Sequence, residues 1–414
     1  MSGISAIVKR SRKRQICALA GPTIAEVKSS SLWDIFCKVV DNYGDIGVCW
    51  RLAADLASRG QQVRLWIDEP GALAWMAPGA LEGRWPGIQV RAWDALHHSA
   101  ALAGLAPADV WIEGFGCNAP VEWQAHRFQP DRADADADAD ADAKNSGLVW
   151  INLEYLTAES FAQRSHGLPS PLMQGPARGH TRFFFYPGFS EGTGGLLREP
   201  GLAERQAVFD RAGWLADRGI AWHGEQLVSL FCYEPAAMAD LLDHLRRDNR
   251  PTRLLVTHGR AAAAVRALIS DPESHSPADF FTGTPASLSV TFLPPLSQTD
   301  FDHLLWSCDL NFVRGEDSLV RAIWARKAFV WQIYPQHDNA HHAKLKAFLD
   351  VMEAPPSWRA FHMRWNGIGQ LALPQPDPAA WTAAVCKAGD RLLQMPDLTT
   401  RLLELVKREK RGPK

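Results

Sequence analysis

From Leu32 onward the chain alternates short apolar runs with longer stretches in which apolar positions recur at helical spacing. The first run, LWDIFCKVV, is nearly continuous and rich in β-formers, the pattern of a strand covered on both faces. In DIGVCWRLAADLASRG, Ile46, Cys49, Trp50, Ala53, Leu56 and Ala57 share one helical face, and Gly60 supplies the stop. QQVRLWID then reads as a second strand. Strand, helix and strand within about 36 residues make a βαβ unit, which belongs in a mostly parallel sheet.

IQVRAWD, ADVWIEGFG, GLVWINLEYL and the aromatic HTRFFFY predict further strands of the same sheet. A second alternation follows, with strands QLVSLFCYE, RLLVTHG, LSVTFLPPL, DLNFVRG and AFVWQIY separated by helical segments. The pattern divides the chain into residues 1–31, a disordered basic extension; 32–205, a doubly wound α/β domain of Rossmann type; 222–375, a second such domain; and 378–410, terminal helices broken near Pro396 that pack back on the first domain. Residues 131–146, an Asp/Ala low-complexity tract, cannot bury a face and read as a solvated loop insertion. Two such domains set face to face leave a cleft between the carboxyl ends of their sheets, where ligands of open α/β folds bind.

Composition narrows the partners. Among 414 residues, 46% are hydrophobic and 17 are tryptophan, enough to fill two cores, so the chain is globular. A net charge of -2 gives no global reason to expect nucleic acid, and the basic run KRSRKR is confined to the extension. No stretch approaches the roughly 18 apolar residues of a membrane span, so no membrane partner is expected. Seven cysteines without a C-x-x-C pair point to a reducing, cytoplasmic setting.

Two clusters carry candidate chemistry. In FCKVVDNYGDIGVCWRL, Asp41 and Asp45 sit four apart where the first strand turns into a helix. Gly44 and Gly47 suggest a nucleotide turn, but the spacing is not G-x-G-x-x-G and two carboxylates repel a phosphate. The pair suits a cationic group or acid–base work, with helix capping the alternative for Asp45 and a solvated loop position for Asp41. In NFVRGEDSLVRA, Arg314, Gly315, Glu316, Asp317 and Ser318 stand at a strand-to-helix turn whose free N–H groups favour an anion. A phosphate cradle and ordinary capping are both compatible with this stretch. Phe231, Tyr233 and Gln298 lie on neighbouring strand and loop ends that would converge on a nucleotide base. His337, His341 and His342 tempt a zinc reading, but H-E-x-x-H and a third ligand are missing, and no metal is expected. No G-x-S-x-G nucleophile elbow occurs.

These stretches, together with INLEYLTAESF, SHGLPSP, FFFYPGFSEGTGGLLRE, LLWSCDLNFVRGEDSLVRAIWARKAFVWQIYPQ and KLKAFLD, resemble in order the bacterial protein-arginine rhamnosyltransferases. The resemblance runs from about residue 32 to the end, apart from the Asp/Ala tract. It implies an inverting glycosyltransferase of GT-B architecture that moves rhamnose from dTDP-β-L-rhamnose to an arginine of translation elongation factor P. It further implies Asp41 as the base, Asp45 as holder of the acceptor guanidinium and Glu316 as a third catalytic group. Asn42, Tyr43, Gly44, Phe231, Tyr233, Gln298, Arg314, Gly315, Asp317 and Ser318 would bind the donor, with no cofactor beyond it. One departure stands out: LPPLSQ puts Pro295 where relatives carry an aromatic against the base. Two other readings remain open on the residues alone, a glycosyltransferase acting on a small molecule or glycan and a non-catalytic nucleotide-sugar-binding module.

Overall fold

The computed structural model describes residues 30–39, 43–128, 147–270, 287–336, 339–369 and 372–411. The basic extension, Asp41, Asn42, the Asp/Ala tract and His337 lie outside the described residues. Seven strands build the first sheet: β1 (Leu32–Cys37), β2 (Gln62–Ile67), β3 (Ile88–Ala92), β4 (Val110–Gly114), β5 (Val149–Leu153), β6 (Pro169–Pro171) and β7 (Thr181–Phe185). Their order is β3-β2-β1-β4-β5-β7-β6. All pairs are parallel except β6 with β7. The sequence pattern missed β6, because PSP holds no apolar run. Proline cannot donate to a ladder, and the strand survives by lying at the sheet edge.

Period-two alternation explains how the first sheet uses its tryptophans. On one face Trp33, Ile35, Val63, Leu65, Val110, Ile112, Val149 and Ile151 meet Ile46, Cys49, Leu52 and Leu56 of helix α1 (Gly44–Ser58). On the other, Phe36, Trp66, Trp111 and Trp150 join Trp93 and Trp123 in an aromatic layer. The Phe36 and Trp111 rings lie edge to face at 5.8 Å, and those of Trp111 and Trp150 at 5.0 Å. Truncating a fully buried member such as Trp111 to alanine would cost about 3–5 kcal/mol. Charged pairs share this face: Glu113 accepts from Arg182 Nη1 at 2.7 Å, and Asp34, directly opposite Arg64 in register, accepts from its Nε and Nη2 at 2.6 and 2.7 Å and from Trp66 Nε1 at 2.9 Å.

The second sheet contains β8 (Gln226–Leu230), β9 (Thr252–Val256), β10 (Leu288–Phe292), β11 (Leu310–Arg314) and β12 (Ala328–Gln332), all parallel in the order β10-β9-β8-β11-β12. Helices α2 (Gln298–Ser307), α3 (Gly315–Ala325), α4 (Ala340–Val351) and α5 (Pro356–Trp365) follow its strands. In both sheets the order reverses beside the first strand, between β1 and β4 and between β8 and β11. The chain segments leaving β1 and β11 therefore start at the two switch points, where crevices open.

The terminal helices correct one expectation. Only α7 (Leu398–Lys410) packs on the first domain, through Leu398, Leu402, Leu405 and Val406. Helix α6 (Pro378–Leu393) instead buries Trp381, Val385, Ala388 and Leu392 in the core of the second. The chain crosses between domains at Pro396, and there Leu398 N–H donates to the Leu196 carbonyl at 3.0 Å. Gly195 beside it has φ +73°, and a Cβ there would stand 2.7 Å from the Pro396 carbonyl oxygen, so a side chain is excluded twice over.

Candidate active site

The segment after β11 enters α3 through Gly315, whose φ of 66° belongs to the left-handed region. Glu316, Asp317 and Ser318 then occupy the first turn. Across from them, α1 begins at Gly44, with Tyr43 at its N-cap and Asp45 in its first turn. Asp45 is buried, 3% exposed.

Between these helix starts lies a cavity of about 400 Å³. Its walls include Tyr43 and Gly44 from the first domain and Phe231, Tyr233, Gln298, Arg314, Gly315, Glu316, Asp317 and Ser318 from the second. Every described residue expected to bind the donor thus lines one space. Asp45 is not in its wall but is close enough that its charge acts on Glu316. Asp41 and Asn42 fall outside the described residues.

Arg314 lies over two rings, its guanidinium carbon 4.6 Å from the centroids of both Phe231 and Tyr233. Such cation–π contacts hold a planar cation in the cavity wall. Tyr233 is itself fixed, its N–H donating to Gln332 Oε1 at 2.8 Å. Phe231 meets Phe301 edge to face at 5.3 Å, and Pro294, Pro295 and Leu296 continue this apolar wall. Phe301 brings a second phenylalanine ring to the same cavity wall. The wall suits a flat base, and the Arg314 cation suits the diphosphate attached to it.

Two expected ligands are already engaged. Ser318 Oγ accepts from Arg314 N–H at 3.1 Å and donates to the Arg314 carbonyl, closing the turn on itself. The Gln298 amide donates to the Gly47 carbonyl of α1 at 2.9 Å, joining the domains. Glu316 faces the first domain, accepting from Leu156 N–H at 2.7 Å and from Lys344 Nζ at 2.6 Å. Burial pushes its carboxyl above the ordinary range; Lys344 and the Leu156 N–H oppose this, and the Asp45 charge adds to it.

Sequence reasoning missed Arg51, Trp75, Met76, Thr257, His258 and Arg260, which complete the wall. Trp75 and Met76 come from a short helix after β2, and Tyr43 packs edge to face on Trp75 at 5.3 Å. Thr257, His258 and Arg260 follow the carboxyl end of β9, the position a doubly wound sheet assigns to ligand contacts. His341 is buried, and its Nδ1 accepts from Gln336 N–H at 3.1 Å. Among the described residues no three His, Cys, Asp or Glu side chains gather to hold a metal ion.

Two facing doubly wound domains, with an acidic helix start on one side of the cleft and an arginine over two rings with an apolar platform on the other, define a glycosyltransferase of GT-B architecture. Residues 33–407 match the family model described as elongation factor P (EF-P) rhamnosyltransferase EarP. The chain belongs to that family, whose activity is transfer of rhamnose to a protein arginine. The protein-arginine rhamnosyltransferase of Pseudomonas aeruginosa is 41% identical over 407 residues, covering 90% of this chain and 98% of the relative. That of Pseudomonas putida is 40% identical over 407 residues, covering 91% and 98%. A solved structure described as the basis for EarP-mediated arginine glycosylation of translation elongation factor EF-P superposes with a TM-score of 0.55 and 27% identity, covering 92% of this chain and 99% of that one. No helix among the described residues is long and apolar enough to cross a membrane.

Proposed function

We propose that the chain transfers rhamnose from dTDP-β-L-rhamnose to one arginine of translation elongation factor P, in the cytoplasm, with inversion and without a metal. The observation that carries this reading is the opposition across one cleft of the Asp45 carboxylate and the Arg314 guanidinium lying over Phe231 and Tyr233. The donor base lies on the Phe231–Phe301 wall, and its diphosphate meets Arg314 and the opening N–H groups of α3.

A guanidinium is a poor nucleophile, since its lone pairs are delocalised and its pKa exceeds about 12. Carboxylates answer both difficulties. Asp45 and Glu316 bind the planar cation and localise its charge, and one terminal nitrogen is thereby aimed at the anomeric carbon from the face opposite the diphosphate. As the nitrogen–carbon bond forms, the carbon–oxygen bond to the diphosphate breaks, and the nitrogen's proton passes to the Asp41 carboxylate. Arg314 and α3 take up the charge that develops on departing dTDP, the work a metal ion does in other transferases.

Incubating the protein with dTDP-β-L-rhamnose and elongation factor P should add one deoxyhexose to one arginine, read by intact mass and peptide mapping. The anomeric coupling in the product should report an α linkage. Unmodified elongation factor P under folded, donor-saturated conditions would sink the reading, and a retained β linkage would sink the single displacement.

A further inference from the structure

Arg51 lies on α1, six residues beyond Asp45, and is only 9% exposed. Its guanidinium leaves its own domain. Nη1 and Nη2 donate to the Asp302 carboxylate on α2 at 3.2 and 3.0 Å, and Nη2 also reaches the Gln298 carbonyl at 3.3 Å. Nε stands 2.8 Å from Oδ1 of Asp317, in the first turn of α3 and in the cavity wall, an ion pair without hydrogen-bond alignment. Asp302 is shared with Arg321, which contacts it at 2.8 and 2.7 Å. Arg321 in turn grips Glu199, in the segment that joins the domains, at 2.7 and 2.9 Å, and Glu199 is shared with Arg205. Three arginines thus balance three carboxylates along a half-buried line from the cavity to the interdomain segment.

We propose that Arg51 is a positioning residue for the transfer, holding Asp317 so that the donor cradle is set from the acceptor side of the cleft; this rests on the donor reading above. Asp317 sits beside the residues that would meet the diphosphate. Left without its cation, its carboxylate would repel that group and would be free to turn into its space. Arg51 pairs its charge and holds it close. Because Arg51 and Asp45 ride on one rigid helix, about 9 Å apart along its axis, the same contact fixes the cradle relative to the acceptor carboxylate. Lysine could not do this. It offers a compact point charge and could reach Asp302 or Asp317, whereas the guanidinium spans both.

The proposal is tested by kinetics and calorimetry on the full chain. Arg51→Met should raise the donor KM and the dTDP dissociation constant by about tenfold, with a smaller fall in kcat, and Arg51→Lys should fall between it and wild type. In an Asp317→Asn background the Arg51→Met penalty should shrink to within about twofold, because the unpaired carboxylate is gone. Glu199→Gln, which loosens the far end of the line, should lower the urea midpoint while leaving dTDP affinity near wild type. Unchanged dTDP affinity in both Arg51 variants would overturn the proposal. So would additive penalties of Arg51→Met and Asp317→Asn, which would mean direct donor contact, or a Glu199→Gln loss of affinity matching that of Arg51→Met, which would mean simple domain adhesion. A wild-type chain that bound no dTDP would overturn the donor assignment first and this proposal with it.

Discussion

Lys344 Nζ of α4 stands 2.6 Å from Oε1 of Glu316, so the carboxylate that opens α3 is held by a cation from the following helix and by the Leu156 N–H of the opposite domain. Burial raises the Glu316 pKa and Lys344 lowers it. If transfer requires the anion, kcat/KM should rise with pH through this pKa. Removing the cation moves the pKa upward, so the acidic limb of the Lys344→Met profile should shift to higher pH, with Lys344→Arg restoring it. A limb that stays in place in Lys344→Met would dissociate Glu316 from the rate.

Asp45 makes a second prediction. Asp45→Asn preserves size but removes the charge that would hold a guanidinium, and should lower kcat/KM for the protein acceptor by about 10²–10⁴-fold. Calorimetry with dTDP should show nearly unchanged affinity, since Asp45 lies outside the cavity wall. Weakened dTDP binding equal to the rate loss would reassign Asp45 to the donor.

A third concerns the Asp34–Arg64 pair beneath the aromatic layer, 0% and 4% exposed. Arg64→Met leaves a buried carboxylate without its cation and should cost about 3–5 kcal/mol by urea denaturation. Asp34→Leu combined with Arg64→Met should recover most of this loss, because two apolar groups need no partner. A double variant as unstable as the single one would show that the pair is worth more than its replacement packing.

A fourth follows from His362, fully buried on α5. Its Nε2 accepts from Trp331 N–H at 2.9 Å and its Nδ1 lies 3.1 Å from the Trp358 carbonyl, so the neutral ring carries its proton on Nδ1. Burial lowers its pKa from 6.5 to about 3. Between those values the unfolded chain binds a proton that the folded one refuses. Stability is thus fully present above about pH 6.5 and falls as pH drops, with a limiting slope of about 1.4 kcal/mol per pH unit. Urea midpoints of wild type and His362→Gln should converge between pH 7 and pH 5; a constant gap would exclude His362 as the titrating group.

The frame of this fold was legible because its strands obey one rule. A doubly wound parallel sheet needs apolar runs on every strand and gathers the loops after β1 and β11 at its switch points, so Asp45 and Arg314 could be placed from spacing and resemblance. What escaped carried no pattern. Two prolines in PSP hide the edge strand β6, and α6 and α7 look alike in sequence although Pro396 sends them to different cores. Arg51 reads as an ordinary polar position on α1; only the approach of the second domain reveals why it is buried. Ser318 shows the converse, a residue whose chemistry fitted a phosphate but whose hydroxyl is spent on its own turn.

The paired crossings at Leu196 and Leu398 tie the two halves of the enzyme by two strands of chain that run side by side. Two crossings pinned side by side constrain how the halves can turn against each other more than a single one would. They also make the halves inseparable as gene fragments. A first domain cut at the forward crossing would lose α7 and expose the surface that Leu398, Leu402 and Leu405 cover, so each half of the catalyst is finished only by chain that has already passed through the other.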